Sequence, residues 1–205
     1  EAGPKLIEKL LDGQSVAQVS DAGMPVISDP GADLVRLALA EDLPIVPLPG
    51  PNAALTALVA SGLDARQFAF IGFLPKITAK QKKLLMDMSR VPVTLIFYEA
   101  PHRILEAVVS LTLVLGAQRT VVLARELTKI YETIHSCPLG EAHDWLLADA
   151  NRQRGEFVLL VSGAPEAEDD GEGERVLKLL LDEGLPVKQA AKLAHSITGA
   201  AKNAM

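Results

Sequence analysis

The chain has 205 residues, 49% of them hydrophobic, and a formal net charge of −6, which suits one large domain or two small ones with a substantial core. No apolar run approaches the eighteen or so residues needed to span a bilayer, and no basic segment leads into an apolar signal-peptide core, so a soluble globular chain is expected. The single Cys137 excludes an intramolecular disulfide and a Cys-cluster metal site, and His102, His135, His143 and His195 lack close metal-ligand spacing, so no metal is expected and a reducing cytoplasm is the simplest fit.

The chain opens on Glu1, without a methionine, and runs straight into a helix from Pro4 to Leu11, as if a strand preceded it. A short apolar strand is expected at Val16 to Val19, then a loop, a helix from Ala32 to Ala40, a second strand at Ile45 to Pro47, a loop, a helix from Ala53 to Ala60 and a strand from Gln67 to Phe73. Alternation of this kind implies an α/β fold with a largely parallel sheet. Gly72-Phe73-Leu74-Pro75 is the best hinge candidate, because Gly and Pro bracket it and the composition turns basic just beyond. The division expected is therefore an N-terminal α/β domain over residues 1–75 and a C-terminal one over 76–163, with a ligand cleft between them.

The second unit begins with a basic stretch in which Lys76, Lys80, Lys82, Lys83 and Arg90 face only Asp87, a local net of +4. It reads equally as a phosphate-binding patch and as a solvated helix face with Leu84, Leu85 and Met88 turned inward. Beyond it come strands at Val93 to Tyr98, Thr120 to Arg125, Tyr131 to Ser136 and Glu156 to Val161, with helices from His102 to about Leu115 and around Glu141 to Leu147. Residues 164–174 form an acidic linker whose last ten positions hold six acids and no base, so the rest of the chain sums to zero. Arg175 to Glu183 and the stretch from Leu185 have helical spacing, and the ending from Thr198 to Met205 implies helix, turn, helix, usually a packing or interaction element.

Four loops carry the polar groups that chemistry needs. Ser20-Asp21-Ala22-Gly23-Met24-Pro25-Val26-Ile27-Ser28-Asp29-Pro30-Gly31 and Pro49-Gly50-Pro51-Asn52-Ala53-Ala54 each lie between an apolar run and a helix, where open α/β sheets bind small molecules. Gly23 and Gly50 allow close approach to the backbone. Asp29-Pro30 also has a plain reading as N-cap and first residue of the following helix, whereas Asp21 starts no helix and is read as a ligand contact. Phe97-Tyr98-Glu99-Ala100-Pro101-His102-Arg103 and Ala124-Arg125-Glu126-Leu127-Thr128-Lys129 place charges where buried strands stop. Those charges either line a substrate or cofactor site, or Arg103 and Arg125 pair with Glu99 and Glu126 to satisfy one another. Gly155-Glu156 reads as no more than a turn into a strand.

Taken together and in order, these motifs closely resemble the tetrapyrrole methylase superfamily, and most of all its ribosomal RNA branch, across about residues 5–163, with a helical tail similar to that branch. The resemblance implies a two-domain tetrapyrrole-methylase-like α/β fold binding S-adenosylmethionine in the interdomain cleft, and methyl transfer to the ribose 2′-hydroxyl of a cytidine in small-subunit rRNA. It implies cofactor contacts from Asp21, Ala22, Gly23, Asp29, Gly50, Asn52 and Ala53, and from Tyr98, Ala124, Arg125, Glu126 and Leu127. Glu99, His102 and Lys129 become the candidates for taking the hydroxyl proton, Glu99 first, and Lys129 only if burial depresses its pKa. Lys80, Lys82, Lys83 and Arg103 become candidate RNA contacts, and a homodimer acting on the small ribosomal subunit is implied. Two departures stand out: the family's opening strand and Gly-Asn-Leu loop would fall before Glu1, and Met24 stands where the branch usually has threonine.

Two other readings are compatible with the residues. The same fold can methylate a tetrapyrrole precursor or a modified protein residue, and a non-catalytic ribosome-binding factor can keep the fold without turnover. A dinucleotide dehydrogenase fits least well, because no Gly-x-Gly-x-x-Gly follows any strand.

Overall fold

A computed structural model describes residues 3–165 and 172–198. Helices α1 (Gly3–Leu11), α2 (Ala32–Ala40) and α3 (Ala53–Ser61) precede strand β1 (Phe68–Phe73). They are followed by α4 (Thr78–Met88), β2 (Thr94–Glu99), α5 (Ile104–Leu115), β3 (Thr120–Arg125), β4 (Thr133–Pro138), α6 (Leu139–Leu147) and β5 (Phe157–Val161). Residues 1–164 form one compact unit. Residues 165–205 form another, in which α7 (Glu172–Asp182) and α8 (Val187–Thr198) pack on each other across a turn at Gly184. The helical tail is thus present, α7 starting inside the stretch read as acidic linker; residues 166–171 and the ending 199–205 lie outside the described residues.

The five strands form one sheet in the order β1-β2-β5-β3-β4. Only β1 and β2 are parallel; β2–β5, β3–β5 and β3–β4 are antiparallel, so the expectation of a largely parallel sheet is corrected. The physical reason lies in the connection from Glu126 to Glu132, which is too short for the crossover a parallel pair needs and closes a hairpin instead. β1, placed by sequence in the first α/β segment, hydrogen bonds to β2 of the second.

Alternation along the strands buries both faces of the sheet. Leu95, Phe97, Leu123, Leu159 and Val161 pack with Leu85 of α4, Ile104, Val108 and Leu111 of α5, and Leu139 and Leu146 of α6. Ile96, Val122, Ala124, Val158 and Leu160 pack under α3 through Ala54, Ala57 and Leu58.

The strands expected at Val16 to Val19 and Ile45 to Pro47 do not form. An apolar run becomes a strand only beside a neighbour whose N–H and C=O groups it can use. These runs have none in the five-stranded sheet, and Val19, Val46 and Leu48 stand 85%, 78% and 77% exposed. Asp29-Pro30 also differs from its plain reading. The N-cap of α2 is Gly31, at φ 125° and without a side-chain cap bond, and Gln18 Nε2 donates to the Pro30 carbonyl at 3.0 Å, filling the space a Cβ on Gly31 would need.

Candidate active site

β5 runs antiparallel to both β2 and β3, so β1, β2 and β3 share a direction and end together at Phe73, Glu99 and Arg125. Helix α3 starts at this same edge, because the Tyr98 hydroxyl accepts from the Ala54 N–H at 3.1 Å. Asn52 caps α3, its Oδ1 accepting from the Leu55 N–H at 3.1 Å. The two glycine loops meet just ahead of it. A Cβ on Gly50 would lie 3.4 Å from Met24 Cγ, and one on Gly23 would lie 3.7 Å from the Pro51 carbonyl oxygen. Met24 therefore packs across the loop pair where a threonine hydroxyl is usual in the resembled branch.

The loop from Ser20 to Gly31 is held in uncommon backbone geometry. Val26 and Ser28 sit at φ 74° and 56°, a region that costs a β-branched residue about 1–3 kcal/mol. Ser28 Oγ lies 3.2 Å from where Gly72 would carry a Cβ, and Gly72, at φ 76°, directly follows Ile71, the extra residue where β1 shifts register against β2. Phe70 and Phe73 meet the Tyr98 ring edge-on, with centroids 5.0 and 5.7 Å away. Desolvation raises the Tyr98 hydroxyl pKa, so the phenol stays protonated. Asp21, Ala22, Gly23, Gly50 and Ala53 are exposed, and Asp29 and Asn52 are half-buried. Buried Ala124 and half-buried Leu127 close the α3 face beside Tyr98. These residues suit a ligand such as S-adenosylmethionine: two close-packed glycine loops, an exposed carboxylate at Asp21 for hydroxyl or ammonium groups, and an aromatic wall.

The charged strand ends divide differently from the sequence expectation. Tyr98 shares the α3 face with Ile96, whereas Glu99 shares the opposite face with Leu95 and Phe97. The Glu99 side chain is fully buried; its Oε1 accepts from the Ala100 N–H at 2.9 Å and lies 3.5 Å from Arg103 Nη1, and its Oε2 has no partner among the described residues. Burial raises its pKa, only partly offset by Ala100 and Arg103. Arg103 donates to the carbonyls of Leu74 at 3.0 Å and Pro75 at 3.2 Å, so its guanidinium is occupied internally rather than offered to RNA. Arg125 pairs with no acid among the described residues. Its guanidinium donates to the carbonyls of Asn151, Arg154 and Tyr131 and to the Thr133 hydroxyl, tying the end of β3 to the loops beside it.

Glu126 takes φ 51°, its Oε1 accepting from Lys129 Nζ and from the Glu156 N–H, both at 2.9 Å. Lys129 also reaches Glu156 Oε2 at 2.9 Å. These bonds lower the Glu126 pKa and raise that of Lys129, the reverse of the depressed pKa that a lysine base requires. Gly155, read from sequence as a simple turn, is required here: at φ 88°, its Cβ would fall 2.4 Å from Glu126 Cγ.

His102 is exposed and lines an open pocket of about 450 Å³ with Pro101, Leu105, Gln153, Arg154 and Gly155. Gln153 and Arg154 escaped the sequence reading because nothing in their local pattern distinguishes them from ordinary loop residues. Lys80, Lys82 and Lys83 are exposed on α4 while Leu85 is buried and Leu84 and Met88 are half-buried, so the basic patch and the solvated-face readings describe the same helix.

With this geometry in place, comparison with known proteins is decisive. The family described as Tetrapyrrole (Corrin/Porphyrin) Methylases matches residues 1–143. The chain belongs to the tetrapyrrole methylase family. A second family, the RsmI C-terminal HTH domain, matches residues 167–205 of this tetrapyrrole methylase. It is similar to proteins named ribosomal RNA small subunit methyltransferase I. The one from Pseudomonas aeruginosa is 52% identical over 99% of this chain and 73% of the relative. Those from Vibrio cholerae and Escherichia coli O157:H7 are 49% and 48% identical, each over 98% of this chain and 70% of the relative. Among solved structures, the methyltransferase CobJ superposes with a TM-score of 0.60 at 23% identity, covering 79% of this chain and 70% of that one. The cobalt precorrin-4 methyltransferase CbiF superposes with a TM-score of 0.58 at 15% identity over the same shares. These two bear on the fold alone.

Proposed function

We propose that this tetrapyrrole methylase transfers the methyl group of S-adenosylmethionine to the ribose 2′-hydroxyl of a cytidine in small-subunit rRNA. The observation that carries this reading is the meeting of the Met24 and Gly50 loops beside Tyr98 at the carboxyl edge of the sheet, in a chain about half identical to relatives named for rRNA methylation. The same reading puts the cofactor in a cleft between a domain over residues 1–75 and one over 76–163. It puts the protein in the cytoplasm, acting as a homodimer on the small ribosomal subunit; no described helix is long and apolar enough to cross a membrane.

When bound, S-adenosylmethionine supplies a methyl already activated on a sulfonium. The ribose hydroxyl that would receive this methyl would have to give up its proton. The protein's share is chiefly to hold donor and acceptor in line. Asp21, the loop backbone and Asn52-Ala53 bind, Tyr98 and Leu127 wall the site, and Arg125 and Lys129 hold the β3 end and its Glu126 turn in shape. Of the three candidate proton acceptors, His102 gains weight. Its ring is open to solvent at a pocket rim, whereas Glu99 is sealed behind β2 and Lys129 is held as an ammonium. Lys80, Lys82 and Lys83 are the phosphate contacts of this reading.

The test is transfer of labelled methyl to isolated small ribosomal subunits, naked rRNA and ribosomal proteins, followed by nucleoside digestion. Label recovered as 2′-O-methylcytidine is the expected result. Label in protein or in no RNA, despite cofactor binding, overturns the acceptor.

A further inference from the structure

Arg103 follows the end of β2, yet its guanidinium reaches across to the joint between β1 and α4. Nη1 donates to the Leu74 carbonyl at 3.0 Å and Nη2 to the Pro75 carbonyl at 3.2 Å. Both carbonyls lie past the last residue of β1 and before the first turn of α4, where neither a strand ladder nor a helix supplies a donor. The Glu99 carboxyl, fully buried, sits 3.5 Å from the same Nη1. Only 15% of the Arg103 side chain is exposed, which leaves little of it for a phosphate.

What the joint connects gives this contact its interest. On one side is Phe73, edge-on to Tyr98, whose hydroxyl takes the Ala54 N–H at the start of α3. On the other is α4 with Lys80, Lys82 and Lys83. The cofactor-side loops and the basic helix therefore meet at two residues held by one side chain. A planar fork can take two successive carbonyls at once; a lysine ammonium on a flexible stem holds them less rigidly.

We propose that Arg103 is a positioning residue, fixing the Leu74–Pro75 joint so that the lysines of α4 and the Phe73–Tyr98 contact keep one relative placement during methyl transfer to RNA. This rests on the function proposed above. It assigns Arg103 to geometry rather than to RNA contact, and gives Glu99 the task of anchoring the guanidinium.

The experiment compares Arg103→Gln, Arg103→Lys and Lys82→Ala in the full-length protein, with S-adenosylmethionine and small ribosomal subunits. For Arg103→Gln the expected result is a kcat lowered roughly 10- to 100-fold by misplacement, with cofactor affinity little changed. Arg103→Lys recovers part of the loss. Amide exchange quickens at Gln81 to Leu84, the first hydrogen-bonded amides of α4, in both Arg103 variants. The salt dependence of RNA binding separates positioning from contact: its slope stays at the wild-type value for the Arg103 variants but drops by about 0.7 for Lys82→Ala, as one lost phosphate contact would give. A slope lowered in the Arg103 variants would make Arg103 an RNA ligand and overturn the proposal. Unchanged exchange at Gln81 to Leu84, or unchanged kcat despite faster exchange, would overturn it as well. If Arg103→Gln does not fold, the Arg103→Lys measurements decide alone. If the wild-type protein methylates no RNA, the proposed acceptor falls, while exchange at Gln81 to Leu84 still shows whether Arg103 holds the joint.

Discussion

Phe157–Val161 and Ile45–Leu48 are both short apolar runs, but their surroundings differ. β5 lies between β2 and β3, with every one of its residues buried, whereas Val46 and Leu48 are 78% and 77% exposed. The same contrast extends across residues 3–67 and 68–164. α1 and α2 bury one side chain each, Ile7 and Ala38, while α5 alone buries five. The lesson is that apolarity stabilises a segment only through the surface it removes from water, so the two regions should respond to substitution very differently.

The largest expected effect is at the sheet centre. Leu159→Ala should cost about 2–5 kcal/mol in urea unfolding, through lost burial and a residual cavity, while Val46→Ser should stay within about 0.5 kcal/mol. Equal losses would break the contrast. Glycine gives a finer version. Gly155→Ala, with both a left-handed φ and a Cβ 2.4 Å from Glu126 Cγ, should be more destabilising than Gly13→Ala, which has the φ but open space. The expected costs are roughly 2–4 kcal/mol against about 1 kcal/mol. The two should separate clearly in thermal unfolding.

A smaller effect is expected at the junction of the regions. Tyr98→Phe removes the acceptor for the Ala54 N–H and should cost about 0.5–1.5 kcal/mol. Calorimetric titration should also show weaker cofactor binding, because α3 and the loop before it lose their tether. The smallest effect is a pH dependence. Burial raises the folded-state pKa of Glu99 above its unfolded value. Its contribution is therefore fully present below about pH 4.3 and is lost as pH rises through the folded pKa. Glu99→Gln should become more stable relative to wild type over that interval and level off above it. A difference independent of pH would mean that the carboxyl titrates normally.

Much of the site was legible because glycine, proline and charge at strand ends are local signals. The loops at Asp21 to Gly31 and Pro49 to Ala53 meet beside Tyr98 at the start of α3, although the strands expected to lead into both loops do not form. What sequence pattern could not give was partnership. Whether Val16 to Val19 finds a neighbouring strand, whether β3 and β4 pair antiparallel, and on which face of β2 Glu99 emerges depend on residues far away in the chain. Arg103 shows the limit most clearly: its position beside His102 reads as site chemistry, but its partners, Leu74 and Pro75, are contributed by another strand's end. Lys129 shows the same limit, since Glu156, one of the two acids raising its pKa, comes from just before β5.

The most direct test of the central claim, that the methyl donor sits on the Tyr98 face of β2 against the paired glycine loops, is a structure of the full-length protein with S-adenosylhomocysteine. The ligand is predicted to contact Asp21 to Gly23, Gly50 to Ala53, Tyr98 and Leu127. Binding instead among Pro101, His102 and Arg154, with Asp21 and Tyr98 left untouched, would contradict it.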